Sequence, residues 1–94
     1  MRTPSQTLLR MLASAPKNTL YRAEDIAAMA GLETNTIRAN YMGKRSADSR
    51  LHLTPDVQHR RRGRIAIAMF YKPTVVRWLK LYNEQLNEQL KERA

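Results

Sequence analysis

Apolar residues recur at helical spacing in four stretches of this 94-residue chain, and the residues around those stretches predict where each helix begins and ends. The first helix is expected to follow Thr3, which can act as its N-cap, with Pro4 in the first helical position and Gln6 completing a capping box. The last helix is expected to begin at Pro73 and is the longest of the four. The pattern therefore predicts a chain that is mainly helical.

Two short helices joined by a tight turn are predicted between the first helix and the last. The second helix is expected from about residue 23 to residue 30, and Gly31 is expected to end it because glycine readily adopts the left-handed conformation found at helix C-termini. The third helix is expected to begin at Glu33 or Thr34 and to continue to about Met42.

A period of two replaces the helical period in residues 65–71, which predicts a β-strand. Residues 57–59 are a plausible partner strand, and Gly63 can occupy the turn of a hairpin between the two. Residues 19–21 are expected to form a short extended piece, and residues 44–58, which have no helical period and contain Pro55, are expected to be a loop that can include a short strand. The predicted fold is mainly α with a small β-hairpin, in the α+β class.

Positive charge is concentrated in the middle of the chain. The formal net charge is +9, and residues 38–80 contain eleven Lys and Arg against two Asp. A positive electrostatic field concentrated in one region suggests a polyanionic partner, most simply nucleic acid. Charge that serves only to keep a protein soluble does not need to be concentrated in one part of the chain.

Several classes of protein are disfavoured by what the sequence lacks. The chain contains no cysteine, which excludes disulfides, thiolate metal sites and cysteine nucleophiles and fits a reducing compartment. It has no run of about 18 apolar residues, so no membrane span is expected, and Arg10 interrupts the only segment that resembles a signal peptide. We expect a cytoplasmic protein that is nucleoid-associated when bound to DNA.

Catalytic residues are not evident in the sequence. His52 and His59 are the only histidines, their spacing does not match a metal motif, and the carboxylates are scattered. Tyr41, Tyr71 and Tyr82 are the candidate nucleophiles, but each lies where a core or interface aromatic is expected. We therefore expect no enzymatic activity, no metal and no cofactor.

The order of predicted elements resembles the winged helix-turn-helix superfamily of DNA-binding domains over roughly residues 5–72. The residues that carry the resemblance are a small residue at the helix crossing, the turn glycine, the apolar residue behind it and two core isoleucines, namely Ala27, Gly31, Leu32, Ile26 and Ile37. The resemblance implies that residues 1–73 are a DNA-binding domain, followed by a C-terminal helix over residues 74–94.

The third helix is the expected recognition helix, since the N-terminal residues of such a helix meet base edges in the major groove. Thr34, Asn35, Thr36 and Arg38 are polar residues expected on its exposed face. Asparagine can pair with adenine and arginine with guanine, while the following Lys44 and Arg45 would lie near phosphates.

The hairpin tip is the second candidate DNA contact. It contains Arg60, Arg61, Arg62 and Arg64. As a wing, this tip would reach the minor groove or the flanking phosphates. The alternative is that the arginines only protect the hairpin edge from pairing with other chains.

The predicted function is sequence-specific binding of double-stranded DNA by a small transcriptional repressor that occupies an operator and excludes polymerase. Two alternatives remain. The basic hairpin could bind RNA, although the chain has few of the aromatic residues on which single-stranded bases stack. An adaptor that contacts only proteins would leave the charge unexplained.

The C-terminal helix is predicted to form a homodimer. An apolar stripe at coiled-coil spacing consists of Val75, Leu79, Tyr82, Leu86 and Leu90. A two-fold dimer would place two recognition helices about 34 Å apart on a pseudo-palindromic site. The alternative is a helix that packs on its own domain.

Overall fold

A computed structural model describes residues 3–42, 49–59 and 67–93. Within these residues, four helices and three strands form a mixed α/β fold with a long C-terminal helix. In chain order they are α1 (Gln6–Ser14), β1 (Leu20–Arg22), α2 (Ala23–Ala30), α3 (Thr34–Asn40), β2 (Val57–His59), β3 (Ile67–Tyr71) and α4 (Lys72–Arg93).

The three strands form an antiparallel sheet with β3 in the centre, in the order β1-β3-β2. The predicted pairing of residues 57–59 with the strand that ends at Tyr71 is confirmed, with Val57 opposite Met69 and His59 opposite Ile67. The extended piece predicted near residue 20 is the strand β1, and its pairing with β3, which was not predicted, adds a third strand to the sheet. The predicted turn residue Gly63 lies outside the described residues.

The first helix begins at Gln6, two residues later than the predicted start at Pro4. Ser5, not Thr3, is the N-cap of α1, and its Oγ accepts a hydrogen bond from the backbone N–H of Leu8 at 3.3 Å. The backbone N–H of Ser5 donates to the carbonyl of Ala28 at 2.9 Å. The start of α1 is therefore fixed by α2 as well as by its own cap.

The predicted limits of α2 are confirmed. At its start, the backbone N–H of Arg22 donates to Asp25 Oδ2 at 3.0 Å, which satisfies a donor that precedes the helix. At its end, Gly31 has φ 74° and ψ 31°, in the left-handed region that favours glycine. The N–H groups of Gly31 and Leu32 donate to the carbonyls of Ala28 and Ala27, at 3.4 and 2.8 Å. These two bonds form a Schellman motif, which turns the chain sharply into α3.

The core lies between the helices and one face of the sheet. Its largest fully buried side chains are Phe70, Ile26, Ile37, Leu51, Leu53 and Val75. Leu51 and Leu53 belong to the segment predicted as a loop, and residues 49–56 of that segment contain no strand. Their side chains are only 1% and 2% exposed, so this segment contributes to the core although it is irregular.

No linker separates β3 from α4, since Tyr71 ends the strand and Lys72 begins the helix. The backbone N–H of Lys72 donates to the carbonyl of Thr19 at 3.1 Å, and its Nζ donates to the carbonyls of Ala13 and Ala15 at 3.1 and 2.7 Å. The strand-to-helix junction is therefore hydrogen-bonded to the end of α1 and to the segment before β1.

Asp56 connects the base of the hairpin to α4. Its backbone N–H donates to the carbonyl of Met69 at 3.0 Å. Its Oδ2 accepts from the backbone N–H of Tyr71 at 2.9 Å and from Thr74 Oγ1 at 2.7 Å. The paired strands and the first turn of α4 are thus held in one arrangement.

The predicted dimer stripe on α4 is wrong for three of its five residues. Val75, Leu79 and Tyr82 are buried in the core of their own chain, together with Trp78. The alternative of a helix that packs on its own domain holds for this half of α4, so the predicted boundary at residues 73 and 74 does not separate two structural units. Farther along the helix, Leu86 and Leu90 are 38% and 66% exposed.

Candidate nucleic-acid interface

The outer face of α3 carries the polar residues that the sequence analysis assigned to base contacts. Ile37 is fully buried and attaches the helix to the core. Asn35 and Arg38 are exposed, while Thr34 and Thr36 are half-buried. With a rotation of about 100° per residue, Asn35 lies well away from Ile37 on the helix circumference. The structure therefore brings Asn35 and Arg38 to the solvent side of α3.

Two further residues of this face were not assigned a role from the sequence. Ala39 and Asn40 are exposed, and Ala39 lies one turn after Asn35 on the same side of the helix. The four-residue spacing from Asn35 was the signal that could have identified Ala39. The third helix ends at Asn40, two residues before its predicted end, so Tyr41 and Met42 follow it.

The C-terminal end of α3 is anchored to α4 through aromatic side chains. The ring of Tyr41 packs edge-on against Trp78 and Tyr82, with centroid distances of 5.3 and 6.4 Å. The rings of Trp78 and Tyr82 stack on each other at 5.1 Å. The carbonyl of Tyr41 also accepts a hydrogen bond from the backbone N–H of Leu53 at 2.7 Å. These contacts hold the end of α3 against the core, so the helix presents its polar face from a fixed position.

The environments of the tyrosines do not favour a nucleophile. Burial raises the pKa of Tyr41, and burial followed by the neighbouring Tyr41 raises the pKa of Tyr82. The pKa of Tyr21 is also raised, by burial and then by the Asp25 carboxylate. Tyr71 was expected at a core or interface position, but its side chain is 38% exposed because it faces away from the core on β3.

A groove of about 590 Å³ lies beside α3, bounded by the start of α2, the end of α3 and the start of β3. Its lining includes Arg22, Glu24, Arg38 and Ile67. Arg22 and Glu24 form an ion pair at 3.9 Å with both side chains more than half exposed, and such a pair contributes little. Arg38 makes no ion pair with any described residue. Two guanidinium groups are therefore available to an anion along this groove.

Arg22 was not identified as a candidate contact from the sequence. It precedes α2 directly, where the crossing helix of a helix-turn-helix would approach phosphates. Its position at the start of the second predicted helix was the available signal.

Six of the predicted contacts lie outside the described residues. They are Lys44, Arg45, Arg60, Arg61, Arg62 and Arg64. Their roles stay predictions. Ile67, the first residue of β3, lines the groove beside α3.

Among residues 3–42, 49–59 and 67–93, no three His, Asp or Glu side chains are grouped so that they could hold a metal ion. In that part of the chain no helix is both long enough and apolar enough to span a membrane.

The face formed by α3 and the adjoining groove combines exposed amide and guanidinium groups on a helix that is anchored at both ends. Such an arrangement can donate hydrogen bonds to anionic or base-edge acceptors without a large rearrangement. Comparisons with protein-family models, with curated proteins and with solved structures found no match to this chain.

Proposed function

We propose that this chain is a sequence-specific double-stranded DNA-binding protein. In this proposal α2, the Gly31 turn and α3 form a helix-turn-helix, and the hairpin of β2 and β3 forms the wing. The order of elements supports it, because two short helices joined by a glycine turn, a pair of strands and a long terminal helix follow one another as expected from the sequence.

The observation that carries the proposal is the division of α3 into a buried and a polar face. Ile37 packs into the core while Asn35 and Arg38 are exposed on the same seven-residue helix. A helix placed in this way fits the major groove with its polar side toward base edges. Asparagine suits adenine and arginine suits guanine, because each can form two hydrogen bonds to the base.

The groove beside α3 supports a second set of contacts, to the DNA backbone. Arg22 and Arg38 border it, and so does Ile67 at the start of β3. Phosphate contacts of this kind fix the register of a protein on the duplex but do not read the sequence. We assign Arg22 to the backbone, and we keep the arginines of the tip and Lys44 and Arg45 as proposed backbone or minor-groove contacts.

The proposed biological action is repression by occupancy. A protein bound in the major groove of an operator excludes polymerase from the same DNA, and this action requires neither catalysis nor a cofactor. We place this activity in the cytoplasm, on the nucleoid.

We further propose that the protein is a homodimer paired through the second half of α4. The side chains available for this contact are Leu86 and Leu90, which continue the apolar stripe past Tyr82 and remain exposed. Pairing would cover both leucines and stabilise a helical segment that is too short and too polar to be stable alone. Val75, Leu79 and Tyr82 have no part in this interface because the core already covers them.

The test of the proposed function is a selection from a random-sequence duplex library, followed by fluorescence anisotropy on the enriched sequence and on a scrambled duplex. We expect enrichment of a consensus site and clearly tighter binding of that site than of the scrambled duplex. Recovery of no consensus, with equal binding of all duplexes, would contradict sequence-specific recognition. Tighter binding of single-stranded RNA than of any duplex would favour the RNA-binding alternative.

A further inference from the structure

The solvent-facing side of α4 carries residues at heptad spacing that differ from the buried ones. Val76, Asn83 and Leu90 follow one another at intervals of seven, and Leu86 lies between the last two. All four are exposed, with Val76 at 43%, Leu86 at 38% and Leu90 at 66%. In a coiled-coil heptad the first three occupy a positions and Leu86 a d position, while the preceding d residue, Leu79, belongs to the core. We call these four exposed residues the α4 seam.

The α4 seam points away from the sides of the helix that its own chain covers. With a rotation of about 100° per residue, its members lie within an arc of about 80°. The centre of that arc is about 90° from the centre of the core-facing residues Val75, Trp78 and Tyr82. Glu88 lies on another side, where its Oε2 is 3.1 Å from Nη2 of Arg50. The seam is therefore free to contact a second molecule.

Asn83 is the polar member of the α4 seam, and it limits which partner can cover it. A side-chain amide has two donors and an acceptor oxygen, and its burial without hydrogen-bond partners costs free energy. A purely apolar partner surface would leave the amide unpaired. A second α4, parallel and in register, places an identical amide opposite, because a positions then face a positions. An antiparallel α4 would place a d position, which is a leucine, opposite Asn83.

The charges of α4 do not oppose the approach of a second copy along this seam. Glu84, Glu88 and Lys91 are exposed, and each lies about 90° or more around the helix from the centre of the seam. Two chains that each carry a net charge of +9 can therefore meet here without bringing these charged groups together.

We infer that α4 pairs with α4 of a second copy in a parallel, in-register arrangement, and that Asn83 specifies this orientation. The inference rests on the homodimer proposed above and extends its contact from Leu86 and Leu90 to Asn83 and Val76. A single Asn at an a position fixes register and oligomeric state in coiled coils at a cost in stability. A parallel pair also places both DNA-binding domains at the same end of the paired helices, so that both copies of α3 can meet one duplex.

Disulfide cross-linking of the intact chain tests the orientation, because the chain has no cysteine of its own. Val76→Cys and Leu90→Cys are oxidised separately and as an equimolar mixture. A parallel pair brings each position against itself, so we expect each variant to cross-link alone and the mixture to contain no product that joins the two variants. Arg77→Cys is the control, because it is exposed on α4 outside the seam and should not cross-link.

The other outcomes separate failure of this inference from failure of the homodimer. A product that forms only in the mixture would show an antiparallel pair, which overturns the inference and leaves the homodimer in place. No cross-link in either variant also overturns the inference. Light scattering then distinguishes a monomer, for which the homodimer fails too, from a dimer that forms through another surface. None of these outcomes bears on DNA binding, which the duplex selection tests.

Asn83→Leu, introduced into both cysteine variants, tests the residue assigned to orientation. A leucine at this position no longer opposes antiparallel pairing, so the product that joins Val76→Cys to Leu90→Cys should increase severalfold in the mixture. Asn87→Leu is the matched control, since it makes the same change at an exposed position outside the seam and should leave the pattern unchanged. The same pattern in the Asn83→Leu and Asn87→Leu chains would overturn the role of Asn83. Circular dichroism of each variant verifies that its fold is retained.

Discussion

Ile37 shows how one buried side chain determines which neighbours are available for binding. It is fully buried, and it fixes the rotation of α3 about its axis. Asn35 and Arg38 point to solvent because they flank it on a helix with about 3.6 residues per turn. Their exposure means that changes at these two positions should alter binding rather than folding.

We predict that Asn35→Ala relaxes the sequence preference of the protein. An amide that forms two hydrogen bonds to one base contributes about 1–3 kcal/mol of discrimination, so the mutant should lose about that much between the selected site and a site changed at one base pair. Anisotropy titrations on both duplexes measure it. Asn18→Ala is the matched control, because Asn18 is exposed in the turn after α1 and should leave discrimination unchanged. Equal discrimination in wild type and Asn35→Ala would contradict the role given to α3.

The buried tyrosines predict a loss of stability at high pH. The pKa values of Tyr41 and Tyr82 are raised in the folded chain above the ordinary value of 10.0, so the folded state holds these protons more tightly than the unfolded state. Their contribution is therefore fully present below pH 10.0 and is lost as the pH rises beyond it.

Denaturant midpoints measured by circular dichroism across this pH range test the prediction. The midpoint should change little up to about pH 10 and then decrease. Tyr82→Phe should reduce this dependence, because it removes one of the phenols whose pKa is raised by burial. A midpoint that does not change above pH 10 would show that burial of these rings does not oppose their ionisation.

At the scale of elements, the sequence predicted the features that depend on interactions between residues close together in the chain. The limits of α2 follow from Gly31 and from the side chain of Asp25, which are close to the residues they affect. The cap of α1 was placed at Thr3 because both Thr3 and Ser5 suit that role, and the bond from Ser5 to Ala28 in α2 distinguishes them only in the folded chain. The role of β1 depends on pairing with a strand about fifty residues away, which no local pattern indicates.

The first three residues of the apolar stripe of α4, Val75, Leu79 and Tyr82, were assigned to a contact with a second chain, but they pack on their own domain. A stripe at helical spacing has the same appearance whether it packs on its own domain or on a second chain. The burial of Leu51 and Leu53 in the same core was also not predictable, because an irregular segment has no period to reveal its inward residues. At the candidate site, the exposure of Asn35 and Arg38 on α3 could be predicted from the sequence, whereas the fold was needed to place Arg22 beside the groove.

We predict that Leu86→Asp together with Leu90→Asp converts a dimer into a monomer. Each carboxylate would have to be buried in the proposed contact, at a cost that a small apolar interface cannot offset. Light scattering at micromolar concentration measures the change. Asn87→Asp is the control, because it adds a carboxylate at an exposed position of α4 outside the stripe. A monomeric wild-type chain, or a dimer that survives the double substitution, would exclude pairing through this segment.

At the scale of the whole molecule, charge should dominate affinity. The chain carries a net charge of +9, and each phosphate neutralised by a Lys or Arg releases condensed counterions from DNA. The sequence was sufficient to predict this field. The fold places Arg22 and Arg38 along one groove. In the proposed complex both can therefore contact phosphates of the same stretch of DNA backbone.

We predict a steep decrease of duplex affinity with salt, with a slope of about −0.9 in log K against log salt for each phosphate contact. Arg22→Ala should weaken all duplexes to a similar extent and make the slope shallower by about one contact. Arg10→Ala is the control, since it removes the same charge from the exposed side of α1. A slope that Arg22→Ala and Arg10→Ala change equally would mean that Arg22 contributes only to the net charge.

The direct junction of β3 and α4 restricts how the chain can change in length. One residue inserted between Tyr71 and Lys72 would rotate α4 by about 100° relative to the sheet and turn Val75 and Leu79 away from the core. The turn at residues 16–18 is exposed, so an inserted residue there would not rotate a helix relative to the sheet. Insertions in exposed turns are generally tolerated. Proteins that share this fold should therefore differ in length at that turn but keep the junction free of insertions and deletions.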